Sequence, residues 1–317
     1  MRFRFIAAVC GAALALAACQ QEGPQTGATA PQASTSTPSI GAGERVSFPP
    51  FKPANLPAHL DVASMPNSIP GTLRLPAGEG RFPAVVILHG SGGVDGRGQL
   101  YADALTAAGI ASLEVDMWAA RGISNRDGVA RRPALRLAMP DVYGALHFLA
   151  NHPRVDANNV GVMGLSFGAV LSIYTASNQV GRLYGVDGRD FRAALPIYPV
   201  CWAFEPGAIG FDFVGNEFPR MPLLLLIGDR DDLDADGGAS CRNLLARGSI
   251  EARNRAAIHV YPGATHGWES LRGASSYHDP AAARGRGGMV NIERNDAVTR
   301  DSIQRAVIFF QENLRAR

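Results

Sequence analysis

Two short runs constrain the fold of this chain most: "PAVVILHG" at 83–90 and "MPLLLLIG" at 221–228. Each holds an unbroken apolar stretch and closes on a glycine. A strand with one wet face would alternate apolar and polar residues, so continuous runs belong to strands covered on both faces. Strand-like segments recur at 71–76, 110–118, 159–166, 191–199 and 256–263. Helix-like spacing lies between them. It covers 100–109, stopped by Gly109. It covers 140–153, with Pro140 read as the first helical position. It covers "FGAVLSIYTAS" after Ser166, and an amphipathic final helix at 301–317. Strands alternating with helices predict the α/β class, a mostly parallel central sheet with helices on both faces. One domain over 45–317 accommodates all of it.

The first residues read differently. "MRFRFIAAVCGAALALAACQQ" has Arg2 and Arg4, an apolar run over 5–16, then small residues. The run is too short for an ordinary membrane span, so 1–18 is predicted to be an export signal. Leu16-Ala17-Ala18-Cys19 resembles a bacterial lipobox. That resemblance implies cleavage before Cys19 and acylation of that cysteine. Gln20 at the next position resembles outer-membrane sorting. The expected location is therefore outside the cytoplasm, facing the periplasm, with membrane contact only through the lipid at Cys19. A simple secretory signal with an incidental cysteine is the alternative. Residues 19–44 are rich in Ser, Thr, Pro, Gly, Ala and Gln and lack apolar periodicity, which predicts a flexible tether. A net charge of +2 argues against a nucleic-acid partner. Cys10 and Cys19 belong to the signal. Cys201 and Cys241 remain, and an exported chain predicts a disulfide between them over two buried thiols.

The chemistry centres on Gly164-Leu165-Ser166-Phe167-Gly168, a G-x-S-x-G between an apolar strand and a helix. Glycines flank a turn too sharp for a Cβ, so the serine is strained and presented as a nucleophile. A plain helix N-cap serine is the bland alternative. In such a sheet the base and acid follow on loops after later strands, in the order Ser, Asp or Glu, His. The histidines after Ser166 are His259, His266 and His278. His259 lies inside a strand and His278 in a segment read as surface loop. His266, in "YPGATHGW", is the predicted base. The acid belongs after 221–228, in "GDRDDLDADGG". Asp231 is the choice, Asp229 stands too near the strand, and Asp232 is the reserve. Asp232, Asp234 and Asp236 also match the opening of a calcium loop. Asn243 stands where the closing Glu is required, so a solvated acidic turn fits better. "HGSGG" at 89–93 should supply an oxyanion donor, Ser91 or Gly92, beside the Phe167 N–H. His89 is read as holding that loop. Trp118, Trp202, Phe204 and Trp268 are read as either pocket wall or core.

These residues together resemble the dienelactone hydrolase family of α/β-hydrolases. The resemblance rests on "HGSGG" (89–93), "NHPRVDANNVGVMGLSFGA" (151–169), "IYPVC" (197–201), "LIGDRDD" (226–232), Cys241 and "YPGATHGW" (261–268). It implies the α/β-hydrolase fold, Asp231 as triad acid and His266 as base, with no cofactor. The namesake enzymes use cysteine where this chain has Ser166, and their carboxylate-binding arginines have no evident counterpart. Arg121 is read as either a pocket or a surface residue. The expected activity is therefore a serine carboxylesterase on a small-molecule ester. Two rivals stand beside it: a prolyl-oligopeptidase-like peptidase, and a non-catalytic cell-envelope binding lipoprotein.

Overall fold

The computed structural model describes residues 43–53, 65–124, 135–185, 188–206, 208 and 217–315. The chain divides into 1–37 and 38–317, and every described residue lies in the second part. The signal, Cys19 and the tether up to residue 42 lie outside the described residues.

Eight strands form one sheet: β1 Glu44–Phe48, β2 Ile69–Arg74, β3 Phe82–Leu88, β4 Ala111–Val115, β5 Val155–Leu165, β6 Ala194–Ile197, β7 Leu223–Gly228 and β8 Ala256–Tyr261. Their order is β1-β2-β4-β3-β5-β6-β7-β8. From β4 to β8 all neighbours are parallel. Only β2 opposes its neighbours β1 and β4. The connecting helices are α1 Arg97–Ala107, α2 Leu135–Ala150, α3 Phe167–Thr175, α4 Asn178–Tyr184, α5 Ala239–Ala246, α6 Ile250–Arg253, α7 Ala282–Gly285 and α8 Asp296–Asn313.

The continuous apolar runs are explained by two cores. In β3, Ala84, Val86 and Leu88 pack with α2 and α3, while Val85 and Ile87 pack with α1 and α8. In β7, Leu223, Leu225 and Ile227 join the first core and Leu226 the second. Neighbouring residues thus serve opposite faces, so neither face tolerates a polar residue. Each fully buried Leu or Ile contributes roughly 1.5–3 kcal/mol. The chain steps from β3 outward to β4, then returns past β3 to β5. That reversal opens a crevice at the carboxyl ends of the strands.

Two expectations need correction. Pro140 lies inside α2, which already includes Leu135. Ala138 and Met139 are buried in the first core, and that burial outweighs the lost N–H bond. The Pro140 carbonyl instead receives the Phe51 N–H at 2.7 Å. The segment around His278 is a strand and not a loop. β9 Ser275–Asp279 pairs antiparallel with β10 Gly288–Ile292. Its small core comprises Leu233, Ala282 and Val290, too few apolar residues to show as a pattern.

Candidate active site

Ser166 occupies the whole turn between β5 and α3, at φ 53° and ψ −110°. For a residue with a Cβ this costs on the order of 1–3 kcal/mol. Its neighbours show why the turn needs glycine. A Cβ on Gly164 would lie 2.0 Å from the Gly168 carbonyl oxygen. One on Gly168 would lie 2.3 Å from the Leu88 carbonyl oxygen. Both obstacles are backbone, so nothing can rotate aside.

His266 comes from the loop after β8 and Asp231 from the loop after β7. The His266 Nε2 is 2.9 Å from the Ser166 Oγ, and its Nδ1 is 2.7 Å from the Asp231 Oδ2. The Asp231 carboxylate can only accept, so Nδ1 carries the proton and Nε2 accepts from the serine. The other Asp231 oxygen accepts the Leu233 N–H at 3.0 Å. All three residues are buried, with Ser166 7% exposed. The two loops meet closely: a Cβ on Gly228 would lie 2.1 Å from the Ala264 carbonyl oxygen.

The turn after β3, where the oxyanion donors are expected, lines the same cavity as Ser166. The Gly93 N–H donates to the Gly90 carbonyl at 3.0 Å, and the Trp118 Nε1–H to that of Ser91 at 3.0 Å. His89 holds this turn. The Met117 N–H donates to its Nε2 at 3.1 Å, which leaves Nδ1–H to donate to the Gly90 carbonyl at 2.7 Å. Burial lowers its pKa and keeps it neutral. Ser91 and Gly92 line one cavity of about 460 Å³ with Ser166 and His266. Phe167 opens α3, where the first amides have no acceptor within the helix.

The remaining aspartates of the β7 loop each have their own work. Asp229 accepts the Gly263 N–H at 2.7 Å. Asp232, the reserve acid, accepts from the Asn291 amide groups and not from histidine. Asp234 is 1% exposed, which contradicts the solvated turn expected there. It accepts the Cys201 and Trp202 N–H groups at 3.1 and 2.9 Å. Burial raises its carboxyl to about 7. Asp236 accepts from Ser240 at the start of α5 and from Arg284. Calcium would need these oxygens to converge; here they face separate donors. Cys201 and Cys241 are joined as a disulfide, with Cα atoms 5.0 Å apart.

Sequence reading missed several residues here. Arg121 turns away from the cavity to the buried Asp141, at 2.5 Å. Arg97 and Arg272 line the cavity instead, with Leu271, Tyr277, His278 and Ile292. Trp118 and Trp268 are core residues. The Trp202 Nε1–H donates to the Ala281 carbonyl, and Phe204 packs on Tyr174. Tyr198 sits at φ 41° just past β6, fully buried, with its ring 4.7 Å from that of His266. Its place at a strand's carboxyl end was the available signal. Glu269 is buried three residues after His266 and bonded by the Tyr101 hydroxyl at 2.5 Å. Burial raises its carboxyl, while the Arg97 guanidinium draws it back down.

Comparison with known proteins places this geometry. The model of the dienelactone hydrolase family matches residues 69–295. Human bile acid-CoA:amino acid N-acyltransferase is 32% identical over 130 residues, covering 40% of this chain and 28% of that protein. Mouse peroxisomal succinyl-coenzyme A thioesterase is 27% identical over 176 residues, covering 54% and 38%. The chain thus spans less than half the length of either. Among solved structures, the carboxylesterase EstE1, cloned from a metagenomic library, superposes with TM-score 0.56 at 17% identity, covering 88% of this chain and 91% of that one. Thermogutta terrifontis esterase 2, phosphorylated by paraoxon, gives TM-score 0.56 at 16% identity, covering 88% and 98%. At such identities the likeness is one of fold. The family match spans well over half of the 317 residues and the architecture is that of the α/β-hydrolases, so this chain belongs to the dienelactone hydrolase family.

Proposed function

We propose that the protein is a serine hydrolase of carboxylic esters, with Ser166 as nucleophile, His266 as base and Asp231 as the acid that orients it. The observation that carries this reading is the continuous line of hydrogen bonds from the Ser166 Oγ through the imidazole to Asp231. The Ser166 Oγ attacks the ester carbonyl carbon while the His266 Nε2 takes its proton. The carbonyl oxygen becomes an oxyanion, held by the Phe167 N–H and one amide from Ser91 or Gly92. Each such donor is worth roughly 3–4 kcal/mol. Collapse breaks the C–O bond to the alcohol, which leaves with the proton from Nε2. Water then attacks the acyl-enzyme with His266 again as base, and the acid departs. Asp231 holds Nδ1–H throughout and stabilises the imidazolium.

The test is an organophosphate probe followed by turnover of p-nitrophenyl esters of graded chain length. The expected result is one phosphoryl group on Ser166. Ser166→Ala should lose labelling and more than about 10⁴-fold of kcat at an unchanged thermal midpoint. Full activity in that variant sinks the assignment, and failure of the wild type to label favours a non-catalytic binding protein. Parallel peptide-amide and acyl-thioester substrates separate esterase from peptidase and thioesterase. We also propose export and lipid anchoring at Cys19, supported by the Leu16–Cys19 motif and by a disulfide suited to an oxidising compartment. Metabolic labelling with a radioactive fatty acid should mark the wild type and spare Cys19→Ala.

A further inference from the structure

We infer that Tyr198 is a positioning residue for His266, bracketing the imidazole so that Nε2 points at Ser166; this rests on the triad reading above. Hydrogen bonds alone leave the imidazole free to rock about the line between its two partners. Something must press on the ring itself. Asp231 and Ser166 engage its two nitrogens, and the Tyr198 ring meets its face-and-edge surface at 4.7 Å and 65°.

Tyr198 is itself held from several sides. Its ring stands at 88° to Trp268, 4.8 Å away, and Trp268 rests on Tyr261 at 5.2 Å. The Trp268 Nε1–H donates to the Ser302 Oγ in α8, which also bonds the Tyr101 hydroxyl of α1. The Tyr198 hydroxyl accepts from the Arg97 Nη1 at 3.3 Å, and Asp95 fixes that guanidinium through two further bonds. The backbone is pinned by the Tyr198 N–H to the Leu226 carbonyl at 2.7 Å. A bulky residue at φ 41° persists only where its surroundings over-determine it. The next carbonyl back, that of Ile197, receives the Ser166 N–H at 3.0 Å. The bracket and the nucleophile therefore share one strand end, and a shift in one moves the other.

The experiment compares Tyr198→Phe and Tyr198→Leu with the wild type. Phe keeps the ring and drops the hydroxyl's bonds to Arg97 and Glu269; Leu drops the ring as well. Leu should lose about 10- to 100-fold in kcat with KM within about twofold, and Phe should keep kcat within about threefold of the wild type. Proton NMR of the low-field Nδ1–H shared by His266 and Asp231 reports the imidazole directly, whatever the substrate. It should be sharp in wild type and Phe, and broadened or shifted in Leu. A Leu variant with wild-type kcat and an unchanged resonance overturns the bracket. So does a Phe variant as impaired as Leu, since the ring would then be irrelevant. If the wild type turns over no ester yet the resonance responds to Leu as expected, the bracket stands and the esterase reading falls.

Discussion

Gly164 and Gly168 leave no room for a methyl group, because the atoms in the way are carbonyl backbone at 2.0 and 2.3 Å. Gly168→Ala should therefore push α3 off β3 and destabilise by several kcal/mol, on the order of the worst overpacking substitutions. Thermal melting would reveal it as a large loss of midpoint or of soluble yield. Asp231 makes a subtler demand. Asp231→Asn keeps the shape but favours the wrong imidazole tautomer, so kcat should fall by about 10⁴-fold with little change in melting. Ser166, His266 and Asp231 were all nameable from the sequence, because each follows a recognisable strand in a fixed order. Tyr198, Arg97 and Glu269 were not. Tyr198 and Arg97 reach the site from segments far from His266 in the chain, and Glu269, three residues after His266, is marked only by its buried partners on α1, Tyr101 and Arg97.

The loop after β7 shows the same contrast between elements. Its aspartates look alike in sequence, yet each meets different donors: histidine, β10, the turn after β6, or the start of α5. The Cys201–Cys241 disulfide ties α5 to that same turn, closing a sequence separation of 40 residues. In the chain-entropy model such closure is worth about 4 kcal/mol. The Cys201→Ser/Cys241→Ser double variant should melt well below the wild type. Because Asp234 accepts from Cys201 and Trp202 N–H, it should also lose kcat beyond what unfolding explains, measured well below its midpoint. The β9–β10 hairpin supplies Tyr277, His278 and Ile292 to the cavity. It escaped sequence reading because a hairpin with so small a core needs few apolar residues.

At the scale of the molecule, several buried acids set how stability responds to pH. Glu114 in β4 is 5% exposed, and burial raises its carboxyl to about 7, with Arg74 on β2 drawing it back. Burial also raises Asp141 to about 6. Unfolded, Glu114 titrates near its ordinary value of 4.5. Below that value it is protonated in both states and costs nothing. Between 4.5 and about 7 the folded state holds the extra proton, so stability falls as pH rises. The full cost, reached above that window, is about 3 kcal/mol. Glu114→Gln should flatten the decline of the melting midpoint between about pH 5 and 8; a parallel decline in both proteins would refute this.

The sequence by itself determined the class of fold and the order of its chemical parts. Strands such as β3 and β7, buried on both faces, show as unbroken apolar runs, and a serine in so sharp a strand-to-helix turn must be flanked by glycine; both demands are local and leave local marks. Only the tertiary structure decided that Asp234 is buried, that Asp232 turns to Asn291, that Arg121 serves Asp141, and that the Tyr198 ring packs on the imidazole. Those outcomes depend on distances between segments that the chain brings together after tens of residues, where many side chains of one type are chemically equal until packing assigns each its partner.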